Sequence, residues 1–150
     1  MKHKTYSCRK ISPGRITAPA VCSSEEILFY HADPATGVIN ETGHCLEGKS
    51  VAGAVVVFPG GKGSSVVQAD GLYNLEQSGK APAGFIVRYL DTVLVSTAVI
   101  MEIPMVWKAE EAFWDCIRDG DMVELDADKE TVTIRAGQQD GMESQGMRKG

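Results

Sequence analysis

The chain has 150 residues and a formal net charge of -5 at pH 7, with 43% hydrophobic and 23% charged residues. That length suits one domain with a real core, and the composition is that of an ordinary folded protein. The negative charge argues against nucleic acid or an anionic membrane as the main partner, since both need clustered positive charge. No apolar run reaches the roughly 18–20 residues that span a bilayer. The basic start Met1-Lys2-His3-Lys4 is not followed by the apolar stretch of a secretory signal, so a cytoplasmic protein is expected.

In chain order, the stretch through Glu26 carries Pro13, Gly14 and Pro19 among short β-prone pieces, and it reads as an edge strand or extended arm. Ile27-Leu28-Phe29-Tyr30 is a short apolar run. Asp33-Pro34-Ala35-Thr36-Gly37 supplies turn chemistry. Val38-Ile39 reads as a brief strand, and residues 40–50 as a polar loop containing His44. Val51 to Phe58 is an uninterrupted apolar run stopped by Pro59, which suits a strand buried on both faces. After Gly60-Gly61-Lys62-Gly63, the pair Ser64-Ser65 offers N-cap side chains to a helix running to about Ser78. Val66, Ala69, Leu72 and Leu75 mark its inner face; Gly71 weakens it, and Gly79 suits its C-terminal end.

Beyond Pro82, Gly84 to Val87 and Thr97 to Ile103 read as strands, with Thr92 to Val95 ambiguous between them. Lys108 to Arg118 reads as a short helix with Ala109, Ala112, Phe113 and Cys116 or Ile117 inward. Met122 to Asp126 and Thr131 to Arg135 alternate apolar and polar residues around a turn, which is a hairpin pattern. Residues 136–150 are Gly, Gln and charge, and are expected to form a disordered tail after a single domain over 1–135. The whole predicts an α/β fold, strand-rich, in a β/β/α arrangement. Cys8, Cys22, Cys45 and Cys116 form no C-x-x-C pair, so four free thiols are expected and no metal is assigned to this chain.

The chemistry concentrates at Gly60–Ser65. A buried strand feeding a glycine-rich loop and then a helix brings backbone close to a ligand and presents unpaired N–H groups at the positive end of a helix dipole. Lys62 adds positive charge, and Ser64 and Ser65 add hydroxyls. The loop is an oxyanion-binding site in outline. It is not a Walker A loop, because Gly63 intervenes between Lys62 and Ser64, and no G-x-G-x-x-G fingerprint is present.

These residues, with Asp33 to Ile39, His44, Leu46, Gly48, Val55 to Phe58, Gly79-Lys80-Ala81-Pro82-Ala83, Ile103-Pro104 and Gly120 to Val123, resemble the aconitase X swivelling domain over roughly Gly14 to Arg135. The resemblance implies a mobile β/β/α swivelling domain, which in that family is either fused to a large domain or a separate subunit beside it. Here it implies the small subunit beside a large aconitase X-type subunit. In that family the iron or iron–sulfur cluster is held by the large partner, and the reaction is dehydration of a β-hydroxy acid. One branch takes phosphomevalonate and another cis-3-hydroxy-L-proline; Ile103-Pro104 and the terminal hairpin are more similar to the first.

By that resemblance Ser64 is the base that removes a proton beside the substrate carboxylate, and Gly61, Lys62, Gly63 and Ser65 hold the substrate's anionic groups. Many relatives continue with small residues after the serines, and aconitases proper place an arginine there; this chain has Val66-Val67-Gln68-Ala69. Other readings stand beside this one. A non-catalytic anion-binding or regulatory module would keep the same loop, and Trp107, Phe113 and Trp114 would serve either a core or an interface in a self-associating domain. His44 reads as a hydrogen-bonded surface residue, Arg15 as a residue that pairs with an anion or with the partner, and Asp33 as turn chemistry.

Overall fold

The computed structural model describes residues 3–135. The expected tail over 136–150 lies outside the described residues. Eight strands occur in chain order as β1 (His3–Ser7), β2 (Arg9–Ser12), β3 (Arg15–Cys22), β4 (Val55–Phe58), β5 (Gly84–Val87), β6 (Met105–Trp107), β7 (Met122–Asp126) and β8 (Thr131–Arg135). Three helices join them: α1 (Ser65–Gln77), α2 (Thr92–Ile100) and α3 (Glu111–Cys116). The strands form one mixed sheet in the order β1-β8-β7-β3-β4-β5-β6-β2.

The centre of the sheet is a parallel run, β3-β4-β5-β6. Its side chains alternate strictly between two cores. Val56, Phe58, Phe85, Val87 and Met105 face Leu72 and Leu75 of α1 and Leu94 of α2. Val55, Val57, Ile86 and Val106 face Phe113 of α3 and the apolar positions of β7 and β8. Burial on both faces is why these strands read as unbroken apolar runs, while the β7–β8 hairpin alternates.

Several expectations need correction. The N-terminal stretch is not a peripheral arm: β1 and β2 are the two edges, but β3 lies mid-sheet. It pairs antiparallel with β7 over Arg15–Pro19 and parallel with β4 over Ala20–Cys22, so Pro19 sits at the handover between neighbours. Thr97 to Ile103 is not a strand, because Thr92–Ile100 is helix α2. Its β-branched residues favour strand, but the Asp91 side chain caps it by accepting from Leu94 N at 3.3 Å, and Leu94, Thr97 and Ala98 bury one side. The strand expected at Val51–Phe58 begins only at Val55, since residues 51–54 form a turn closed by Ala54 N donating to Val51 O. In α3 only Phe113 is buried, while Ala112 and Cys116 are exposed.

The inner face of α1 is the expected one at Leu72 and Leu75 but not at Val66, and Ala69 is only half-buried. Gln68, Gly71, Leu72 and Leu75 are buried, while Val66 is 67% exposed. Gly71 rests on the backbone of the 3-10 turn Phe29–His31; a Cβ there would lie 2.3 Å from Tyr30 N and 2.5 Å from Phe29 C. Intrinsic propensity alone says that Gly71→Ala stabilises the helix by about 1 kcal/mol. The packing reverses the sign. Gly71→Ala is expected to cost about 2–3 kcal/mol, read as a lowered midpoint in urea unfolding.

Candidate active-site loop

Because β3, β4 and β5 run parallel, their C-terminal ends lie at one edge of the sheet, and the loop after Phe58 emerges there. Gly60 and Gly61 are buried, with Ile27 N donating to Gly60 O at 3.2 Å and Ile27 bridging to Gly61. Gly63, at φ +89°, makes the left-handed turn that a side chain would resist. The chain then enters α1 through Ser64, whose extended backbone and side-chain oxygen, accepting from Val67 N at 3.4 Å, make it the N-cap. Ser64 and Ser65 are both exposed. Among the described residues no acceptor reaches the Ser65 or Val66 N–H groups, so they remain open to an anion at the positive end of a thirteen-residue helix.

The structure thus brings Gly61, Lys62, Gly63, Ser64 and Ser65 into one loop, but it does not leave Lys62 free. Its Nζ donates to Glu41 Oε2 at 2.7 Å, an ion pair about one-third exposed on the lysine side. The hydrogen bond from Lys62 holds the Glu41 carboxyl below the usual carboxylate range, against a smaller opposing effect of burial. Glu41 takes one of the three ammonium protons, orients the side chain and cancels its charge at short range.

A cleft of ≈ 400 Å³ adjoins the loop, lined by Ser24, Glu25, Glu26, Pro59, Lys62 and Tyr89. The Tyr89 hydroxyl donates to the Glu26 carboxylate; burial first, and this bond second, push the phenol up to about 12. With two carboxylates on its wall and its lysine neutralised, this side of the loop repels anions. The anion-facing side is the helix start.

His44 is buried, not on the surface, and is structural: Leu46 N donates to Nδ1 at 3.0 Å, and Nε2 donates to Glu26 O at 2.8 Å. Glu25, His44 and Cys45 lie within metal-ligand reach of one another, yet both imidazole nitrogens are engaged by backbone. Cys8, Cys22 and Cys116 are not in this group, and all four thiols are free. Fe–S clusters are held chiefly by several thiolates, so the described residues do not supply a ligand set for one. Arg15 pairs with Glu124 at 2.7 Å at the opposite end of β3, away from the loop. Asp33 Oδ1 accepts from Ala35 N as turn chemistry. Phe113 is core, and Trp107 and Trp114 are half-buried, so these aromatics do not form an exposed patch.

Sequence reasoning misses Glu41, Tyr89 and Gln68. Glu41 and Tyr89 are distant in the chain and carry no motif. Gln68 was legible in principle, being a lone amide on the helix stripe that also bears Leu72 and Leu75.

The described residues form a strand-rich α/β domain that presents an N-capping serine and open helix amides at one edge of its sheet. Residues 5–134 match the family model for the aconitase X swivel domain, and the chain belongs to that family. It is 42% identical over 118 residues to the phosphomevalonate dehydratase small subunit of Methanocella arvoryzae, covering 78% of this chain and 89% of that one. It is 38% identical over 131 residues to the same-named subunit of Methanothrix thermoacetophila, covering 87% and 94%. The crystal structure of Thermococcus kodakaraensis aconitase X in its holo-form matches with a TM-score of 0.79 at 32% identity, covering 88% of this chain and 98% of that one. The expected swivelling-domain fold is therefore the fold observed.

The Lys62–Glu41 pair gives a pH-dependent signature. A carboxyl whose folded pKa is depressed contributes stability above its unfolded pKa and loses it as pH falls through the folded one. Glu41→Gln is expected to lower unfolding free energy at neutral pH, with the difference from wild type disappearing in acid. Urea unfolding of both proteins across that range checks it.

Proposed function

We propose that this chain is the small subunit of a two-part, aconitase X-type dehydratase, with Ser64 as its base and phosphomevalonate as its substrate. The observation that carries the reading is the exposed Ser64 at the N-cap of α1, at the C-terminal edge of the parallel strands. It stands in a chain that relatives named phosphomevalonate dehydratase small subunit cover over most of its length. The reaction class is hydro-lyase, and a small subunit calls for a large one.

Dehydration of a β-hydroxy acid removes a proton from the carbon beside the carboxylate and a hydroxyl from the next carbon, leaving a double bond. The Ser64 oxygen is the proton acceptor. A serine hydroxyl is a poor base until its alkoxide is favoured, and the Val67 N–H bond and helix dipole both favour the charged form. The open N–H groups of Ser65 and Val66 receive the substrate carboxylate, where negative charge grows as the proton leaves. Lys62, its charge cancelled by Glu41 and its side chain on the cleft side, orients the loop and does not receive the carboxylate.

The phosphate lies away from the Glu25–Glu26 cleft, which would repel it, and is met by cations of the large subunit. The iron centre belongs to that subunit too; the scattered thiols and the engaged His44 support this division. Free thiols also suit a cytoplasmic enzyme.

The test is anaerobic co-expression with a candidate large subunit, assaying phosphomevalonate and, beside it, cis-3-hydroxy-L-proline. Dehydration of phosphomevalonate that requires both chains is expected. Ser64→Ala is expected to lower kcat by about 100- to 10,000-fold, and unchanged turnover would remove Ser64 from the base role. Turnover of the proline substrate alone would move the enzyme to the other branch.

A further inference from the structure

The stretch after the serines, Val66-Val67-Gln68-Ala69, contains the one polar side chain on the buried face of α1. Gln68 is 0% exposed. Its Oε1 accepts from Phe29 N at 2.7 Å, and its Nε2 donates to Ile27 O at 3.1 Å and to Lys62 O at 3.4 Å. All three partners are backbone atoms. One amide therefore ties the 27–29 segment on one side to the glycine loop on the other.

The loop is shaped around this amide. A Cβ on Gly61 would stand 2.8 Å from Gln68 Nε2 and 2.8 Å from Asp91 Oδ2, so a side chain there would push the Gln68 amide out of its place. Gln68 N also donates to Ser64 O at 3.0 Å in the first helical turn. That bond is the backbone's own first helical bond and survives any side chain; what Gln68 adds is the grip of its amide on Lys62 O, just before the N-cap. A glycine-rich loop has wide backbone freedom, and a base displaced by about 1 Å can cost about 100-fold in rate. Holding Ser64 still demands a tether, and the other side chains on the loop point elsewhere: Lys62 to Glu41, and Ser64 to its own helix.

We infer that Gln68 is a positioning residue that clamps the Gly60–Ser65 loop so that Ser64 faces the substrate. This rests on the dehydratase reading. Gln68 touches neither substrate nor metal; it acts through the loop backbone.

Two substitutions in the assembled two-subunit enzyme separate this role from a merely structural one. Gln68→Met keeps side-chain length and removes all three bonds. Gln68→Glu, ionised, keeps the acceptor for Phe29 N and loses the donations to both Ile27 O and Lys62 O. Both are expected to lower kcat by about 100-fold with KM changed less than about 3-fold. Amide hydrogen exchange on the full-length chain is expected to accelerate at Gly61 through Val66 while β4 and β5 stay protected. Wild-type kcat in either variant overturns the inference. So does exchange that is unchanged at the loop, or that accelerates equally throughout β4 and β5. Should Gln68→Met fail to fold, Gly61→Ala perturbs the same contact from the loop side and is expected to give the same kcat loss and the same local exchange. Absence of phosphomevalonate turnover by wild type defeats the functional reading instead, and the exchange pattern then decides the clamp alone.

Discussion

Two-sided burial of the parallel strands is the constraint on which the rest of this molecule depends. Each residue of β4 and β5 is buried, and neighbours along each strand serve opposite cores. Backbone groups so placed have no water to turn to and must pair within the ladder. Polar chemistry is thereby pushed to the strand ends. At the C-terminal ends the loops are free to carry ligand-facing groups, the usual place for a site in an open α/β sheet.

The loop that emerges there is polarised. Its helix side offers open N–H groups and exposed hydroxyls, whereas its cleft side offers Glu25, Glu26 and a lysine already paired with Glu41. Under the proposed function, a substrate with two anionic ends is not neutralised by such a surface alone, which is why that reading assigns the remaining cations to the large subunit.

How much was legible varies by element, and the reasons are physical. The strand–glycine loop–helix unit is readable because its signals are local: an apolar run, glycines that no regular element tolerates, and a serine cap. The β7–β8 hairpin is readable from alternation. Helix α2 is not, since Thr92 to Ile100 is rich in β-branched residues, and only the Asp91 cap and its packing decide for helix. Gly71 reads as a flaw in α1 until the Tyr30 backbone is found against it. Lys62 reads as a free cation until Glu41, twenty-one residues earlier, is found on its ammonium.

By itself, then, the sequence determined the α/β class, the position of the serine-bearing loop and the family resemblance, because each rests on contiguous residues whose backbone preferences are intrinsic. Tertiary structure alone decided that β3 runs through the middle of the sheet, that Lys62 is neutralised, and that a buried amide at Gln68 grips the loop. Those depend on which distant segments meet, and pairings across tens of residues leave no periodic trace in the chain.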